Sequence, residues 1–252
     1  DSGERTFAIN PGLMNRLKPE SINESLIQNA SALVISSYLM RTENDDTMTQ
    51  AAIKAVKLAN EANVPVVLTL GTKFLIEKEP EFWQSFVKEH VNILAMNEEE
   101  ALAITGFDDP LKAADKCLDW VDLVICTAGP EGLFMAGYVE EKFKRETEYP
   151  LLPGCISDFN QYEYSRPMLL SECKNPIKIY THTAPYMGGP DKIKNTNGTG
   201  DVALAAVLHD LSANVYHQKN VDNSSKHLQS AITYSSISQI SKYANRVSYE
   251  VL

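Results

Sequence analysis

The chain has 252 residues, enough for one sizeable α/β domain or two small ones. Hydrophobic residues make up 44% and charged residues 22%, ordinary values for a packed globular protein. Its 23 basic and 33 acidic residues give a formal charge of −10, which argues against nucleic acid or an anionic membrane as the main partner. A small anionic ligand remains compatible, because it needs only local positive potential. The cysteines Cys117, Cys126, Cys155 and Cys173 show no CxxC or zinc-finger spacing, so free thiols in a reducing cytoplasm are expected. No apolar run approaches membrane-spanning length.

Residues 1–9 read as a turn and a strand, and residues 10–29 as a polar loop with a short helix. An apolar run at 32–39 predicts a buried strand. The apolar periodicity over 47–62 predicts an amphipathic helix that ends at Asn63, ahead of Pro65. The continuous run 64–70 predicts a strand covered on both faces. A helix follows over 80–90, then a strand over 91–96. A further helix over 101–105 stops at Gly106, and another spans 110–120. Strands are predicted over 123–127 and 133–138. The stretch 139–194 is polar, aromatic and loosely patterned, with one short strand expected at 177–180; a loop-rich region of this length is often functional. Residues 215–226 read as a polar loop. A closing helix is expected over 227–251, with Ile232, Ile237, Ile240, Tyr243, Ala244 and Val247 facing inward. The strand–helix alternation between 32 and 124 argues for a parallel sheet with helices on both faces, and ligands in such sheets sit at the carboxyl ends of the strands.

The stretch Asn195-Thr196-Asn197-Gly198-Thr199-Gly200-Asp201 runs into an Ala/Leu/Val helix. Two glycines one residue apart let the backbone turn tightly and let an anion approach the amides. The first amides of a helix lack partners within it and carry partial positive charge, which makes an anion site. Asp201 falls in that first turn, where a carboxylate can take a proton from a hydroxyl while the amides hold negative charge. The plainer alternative is a capped helix whose dipole Asp201 stabilises. The classical P-loop and the dinucleotide fingerprint are both absent.

Three motifs in order resemble those of the ribokinase-like carbohydrate and nucleoside kinases. They are Asn97-Glu98-Glu99-Glu100 after a strand, Thr127-Ala128-Gly129-Pro130-Glu131-Gly132 at a strand–turn, and the Asn-Gly-Thr-Gly-Asp helix start ending at Asp201. The segments 63–74, 184–190 and 242–249 are most similar to the purine-nucleoside members. The resemblance implies an α/β, ribokinase-like fold: a central, mostly parallel sheet with helices on both faces, and residues 1–252 forming a single kinase domain. It begins inside the family's pattern. The acidic residue that grips the sugar hydroxyls, the Gly-Gly motif and most of the lid have no counterpart, and residues 1–10 are expected to be a lid-strand remnant.

The resemblance further implies transfer of the ATP γ-phosphoryl group to a nucleoside 5′-hydroxyl, with Asp201 as base. Gly198, Thr199 and Gly200 would form the anion hole, with Thr199 standing where most members carry Ala. Thr127, Gly129 and Gly132 would shape the nucleotide pocket, and Asn245 would flank the adenine. Asn97 and Glu100 would organise Mg²⁺ through water; their alternative is a helix-capping pair. The implied partners are a purine nucleoside and ATP, with Mg²⁺, without nucleic acid or membrane, and with a homodimer allowed. Tyr162, Tyr164 and Tyr186 are expected to pack rather than to stack on a purine, and His209 and His227 receive no role.

Overall fold

Short apolar runs bounded by turn residues become the strands of one six-stranded sheet in the computed structural model, which describes residues 12–40, 47–146, 161–189, 193 and 195–252. The strands are β1 (Leu33–Ser36), β2 (Val66–Thr69), β3 (Ile93–Asn97), β4 (Leu123–Thr127), β5 (Leu133–Glu140) and β6 (Pro176–Thr183). They lie side by side in chain order. The first four are parallel. β5 and β6 turn back antiparallel. The mostly parallel sheet expected from the alternation is therefore present, with an antiparallel edge.

Alternate strand residues point to opposite faces, and each face is buried by its own helices. Val66, Leu68, Leu94, Met96, Val124 and Cys126 enter one core, which α1 (Glu24–Gln28), α2 (Thr47–Glu61), α3 (Lys73–Lys78), α4 (Pro80–His90), α5 (Glu98–Thr105) and α6 (Pro110–Cys117) cover. Val67, Ile93, Ala95, Leu123 and Ile125 enter the other, which α7 (Thr199–Asn220) and α8 (Ile237–Glu250) cover. Two-sided burial is why these strands read as unbroken apolar runs rather than as alternating ones. It also holds the strand ends in fixed positions, which matters for what lies beyond them.

The structure differs from the sequence reading in four places. β1 stops at Ser36, and a 3₁₀ turn over Ser37–Met40 follows, with the Ser37 hydroxyl donating to the Leu70 carbonyl. The short helix α3 is an addition. α7 continues through the first half of the expected polar loop, to Asn220. The final helix begins at Ile237, not near His227, and Tyr243 is 51% exposed rather than inward-facing. The expected turn and strand over 1–9, Cys155 and much of the irregular stretch lie outside the described residues.

Candidate active site

The carboxyl ends of β3 and β4 are adjacent, with Asn97 and Thr127 paired across the ladder. Asn97 ends β3 and caps α5. Its Oδ1 accepts the Glu100 N–H at 2.8 Å, and Glu100 Oε2 accepts the Asn97 N–H at 3.0 Å. A further bond runs from Asn97 Nδ2 to Glu100 Oε1 at 3.3 Å. The capping pair is thus real, and it fixes a carboxylate at the strand end. Glu100 is only 4% exposed, and burial pushes its carboxyl up to about 7 against the backbone amides of Asn97 and Gly71. Among the described residues it has no ion-pair partner. A buried carboxylate without a cation is costly to ionise.

Beyond Thr127 the chain makes a 3₁₀ turn over Gly129–Glu131 and returns as β5. Gly132 has φ +95°, and a Cβ there would lie 2.1 Å from the Thr183 carbonyl oxygen of β6. Only glycine permits that approach. The turn is held from both sides, by His182 Nε2 on the Glu131 carbonyl at 2.7 Å and by the Tyr249 hydroxyl on the Gly129 carbonyl at 3.1 Å.

The third piece is the start of α7. Gly198 is its N-cap, at φ +82°, and no side chain caps the helix. A Cβ on Gly198 or Gly200 would meet nothing within 4 Å, so both glycines face open space. The amides of Thr199, Gly200 and Asp201 find no acceptor among the described residues. A 22-residue helix thus presents bare donors at its positive end. Asp201, exposed in the first turn, sits among them. The approach to the helix is braced by Thr199 Oγ1 donating to the Thr196 carbonyl and by Asn197 N–H donating to Asn195 Oδ1.

These pieces enclose one cavity of about 830 Å³. Its lining includes Asn97, Glu100, Thr127, Gly129, Gly132, Gly198, Thr199, Gly200, Asp201 and Asn245, every residue to which the sequence reading assigned a site role. Met96, Ile125, Leu133 and Leu204 supply apolar wall. Glu98, Glu100 and Asp201 supply carboxylates, and no Lys, Arg or His lines it among the described residues. A site built this way offers main-chain donors and acids, not basic side chains, to whatever enters.

The sequence model of the pfkB family of carbohydrate kinases matches residues 1–150. The chain belongs to this family. Guanosine-inosine kinase from Escherichia coli K12 is 62% identical over 252 residues, a match that takes in 100% of this chain and 58% of that enzyme. The chain thus spans 58% of the length of the curated relatives it matches. Among solved structures, adenosine kinase from Sinorhizobium meliloti superposes with a TM-score of 0.59 at 16% identity, over 92% of this chain and 52% of that one. Aminoimidazole riboside kinase from Salmonella enterica, solved with aminoimidazole riboside and an ATP analog, gives 0.55 at 14% identity, over 96% and 62%. At such identities the superpositions establish the shared ribokinase-like fold.

In this pfkB-family chain several wall residues lie outside the three motifs. Asn245 donates Nδ2 to the Ala184 carbonyl at 2.8 Å, tying α8 to the end of β6. Ser248 Oγ lies 3.0 Å from the Thr199 carbonyl and 2.9 Å from the Ala244 carbonyl, between which its one proton is shared. Ser248 and Tyr249 fall in the segment 242–249 but received no role there, because a Ser and a Tyr late in a helix carry no local signature. Spacing offered one hint: Ser241, Asn245 and Ser248 repeat at helical intervals, marking a polar stripe on a helix otherwise buried by apolar residues. The Tyr186 ring lies against Gly188, with the Arg246 guanidinium 5.9 Å from the ring centroid. Tyr162 is buried in the second core. His227 meets the His217 ring at 5.2 Å and does not line the cavity.

Proposed function

We propose that this chain is the larger part of an ATP-dependent nucleoside kinase that phosphorylates the 5′-hydroxyl of purine nucleosides, inosine and guanosine foremost, in cytoplasmic purine salvage. The observation that carries this reading is the position of Asp201: a carboxylate among uncapped helix amides, in one cavity with the Thr127–Gly132 turn. Identity of 62% to guanosine-inosine kinase supports the choice of acceptor.

In this reading the purine nucleotide lies against Thr127, Gly129 and Gly132, with Asn245 fixing the wall beside it. The γ-phosphoryl group points at the amides of Thr199 and Gly200, beyond Gly198. Asp201 accepts the proton of the attacking 5′-hydroxyl as its oxygen bonds to phosphorus and the bond to the ADP oxygen breaks. Phosphoryl transfer has a loose transition state, so positioning and neutralisation of charge contribute more than the strength of the base.

Mg²⁺ fits Asn97 and Glu100 through its water shell and not by direct ligation. Asn97 Oδ1 already accepts the Glu100 N–H, and the Glu100 oxygens accept from the Asn97 N–H and Nδ2, yet carboxylate oxygens keep lone pairs for ordered water. Bound there, the ion would offset phosphate charge that no basic side chain among the described lining residues can meet.

The test is turnover of ATP with inosine, guanosine, ribose and fructose in the full-length protein. Phosphorylation of the two nucleosides well above the two sugars is expected. Preference for ribose or fructose would point to a sugar kinase of the same fold.

A further inference from the structure

α8 bonds to three parts of the surround of the cavity described above, the end of β6, the start of α7 and the Gly129 turn, and it does so with polar side chains on one face. Ser241 Oγ meets Thr183 Oγ1 at 2.7 Å at the end of β6. One turn on, Asn245 binds the Ala184 carbonyl. Another turn on, Ser248 Oγ shares its one proton between the Thr199 carbonyl at the start of α7, 3.0 Å away, and the Ala244 carbonyl of its own helix, 2.9 Å away, and Tyr249 Oη donates to the Gly129 carbonyl. The last two are neighbours in sequence but reach different walls: one the helix that bears Asp201, the other the strand–turn that ends at Gly132. Tyr249 is half-buried. Its ring lies against Gly189, where a Cβ would come within 3.3 Å of Cδ1, and it lines the cavity.

We propose that Tyr249 and Ser248 are paired positioning residues, which set the separation between the nucleotide seat at Gly129–Gly132 and the phosphoryl seat at the N-terminus of α7. Neither touches the reacting atoms. Tyr249 holds the turn that the nucleotide lies on, and Ser248 holds the peptide next to the anion-binding amides. A phosphoryl donor bound at one seat is thereby delivered to the other without adjustment, and misplacement of about 1 Å is enough to cost a large factor in rate. The proposal rests on the kinase reading and adds two residues to it.

The two roles separate experimentally. In the full-length protein, Tyr249→Phe is expected to raise the Kd and KM for Mg·ATP about three- to tenfold, the worth of one neutral hydrogen bond, while inosine binding shifts less than about twofold. Ser248→Ala is expected to lower kcat by about the same factor with Mg·ATP binding shifted less than about twofold, and Ser248→Thr, which keeps the hydroxyl, to recover it. Titration calorimetry with Mg·ATP and with inosine, beside steady-state kinetics, reads all of these. An unchanged Mg·ATP Kd in Tyr249→Phe would overturn the proposal, as would both substitutions moving the same parameters together, which is what a general loosening of α8 predicts. If wild-type protein binds Mg·ATP but phosphorylates no nucleoside, the kinase reading fails on its own, and the Mg·ATP Kd of Tyr249→Phe still decides the positioning claim.

Discussion

Glu100 combines two properties that pull against each other. It completes a helix cap, which needs a hydrogen-bond acceptor, and it does so almost fully buried, which penalises charge. Burial lifts its carboxyl from 4.5 to about 7. The folded protein therefore binds this proton more tightly than the unfolded chain does. Stability linked to Glu100 is full below about pH 4.5, declines as pH rises towards 7, and is then lost, an effect on the order of 3 kcal/mol. Glu100→Gln should remove that decline, so that urea denaturation of the variant between pH 5 and 8 runs flatter than that of the wild type. The same variant should need more Mg²⁺ for half-maximal turnover. An unchanged Mg²⁺ titration would remove Glu100 from the metal's surroundings and leave it a cap alone. The spacing of Asn97 and Glu100 was readable in the sequence, but both of its meanings were. The structure brings out the burial, which spacing cannot carry.

At the scale of elements, the two glycine-built turns differ in what holds them. Gly132 is clamped against the backbone of β6, whereas Gly198 faces open space, although both have positive φ. Gly132→Ala should cost more than about 3 kcal/mol, because a carbonyl cannot move aside without breaking the β5–β6 ladder. Gly198→Ala should cost only about 1 kcal/mol, the backbone penalty, while impairing phosphoryl transfer more than stability. Urea midpoints for the two variants check the contrast; equal losses would contradict it. The strands and α2 were legible because two-sided burial and a clean apolar stripe leave strong patterns. The C-terminal helices were misread for a physical reason. Polar residues late in α7 bond the backbone of the irregular stretch beneath: Asn214 donates to the Ala231 carbonyl and Gln218 to the Leu228 carbonyl. Asp210 accepts from the N–H groups of Tyr234 and Ser235. The first half of what looked like a solvated loop is the end of α7, with Gln218 bonded to a neighbour and Tyr216, Lys219 and Asn220 exposed. The true start of α8 did carry a signal, the Ser236–Gln239 capping box.

For the molecule as a whole, charge sets the terms of binding. The chain carries −10 overall, and its cavity adds Glu98, Glu100 and Asp201 with no basic side chain among the described lining residues. Free ATP should therefore bind at least about tenfold more weakly than Mg·ATP, and EDTA should abolish turnover. Comparable affinity for both forms would show that the amides alone carry the polyphosphate. The sequence reading places ligands at the carboxyl ends of the parallel strands, which accounts for the motifs after β3 and β4 meeting on one rim. The α8 contacts that brace that rim were not legible, because they join residues up to 120 positions apart through single hydrogen bonds. The decisive measurement is single-turnover phosphorylation of inosine by full-length Asp201→Asn, beside its Mg·ATP affinity. A rate at least about 100-fold below wild type with affinity held within a few-fold is predicted. Equal rates in both proteins would mean that the proton leaves by another route and that the carboxylate at the head of α7 is only a helix-end charge.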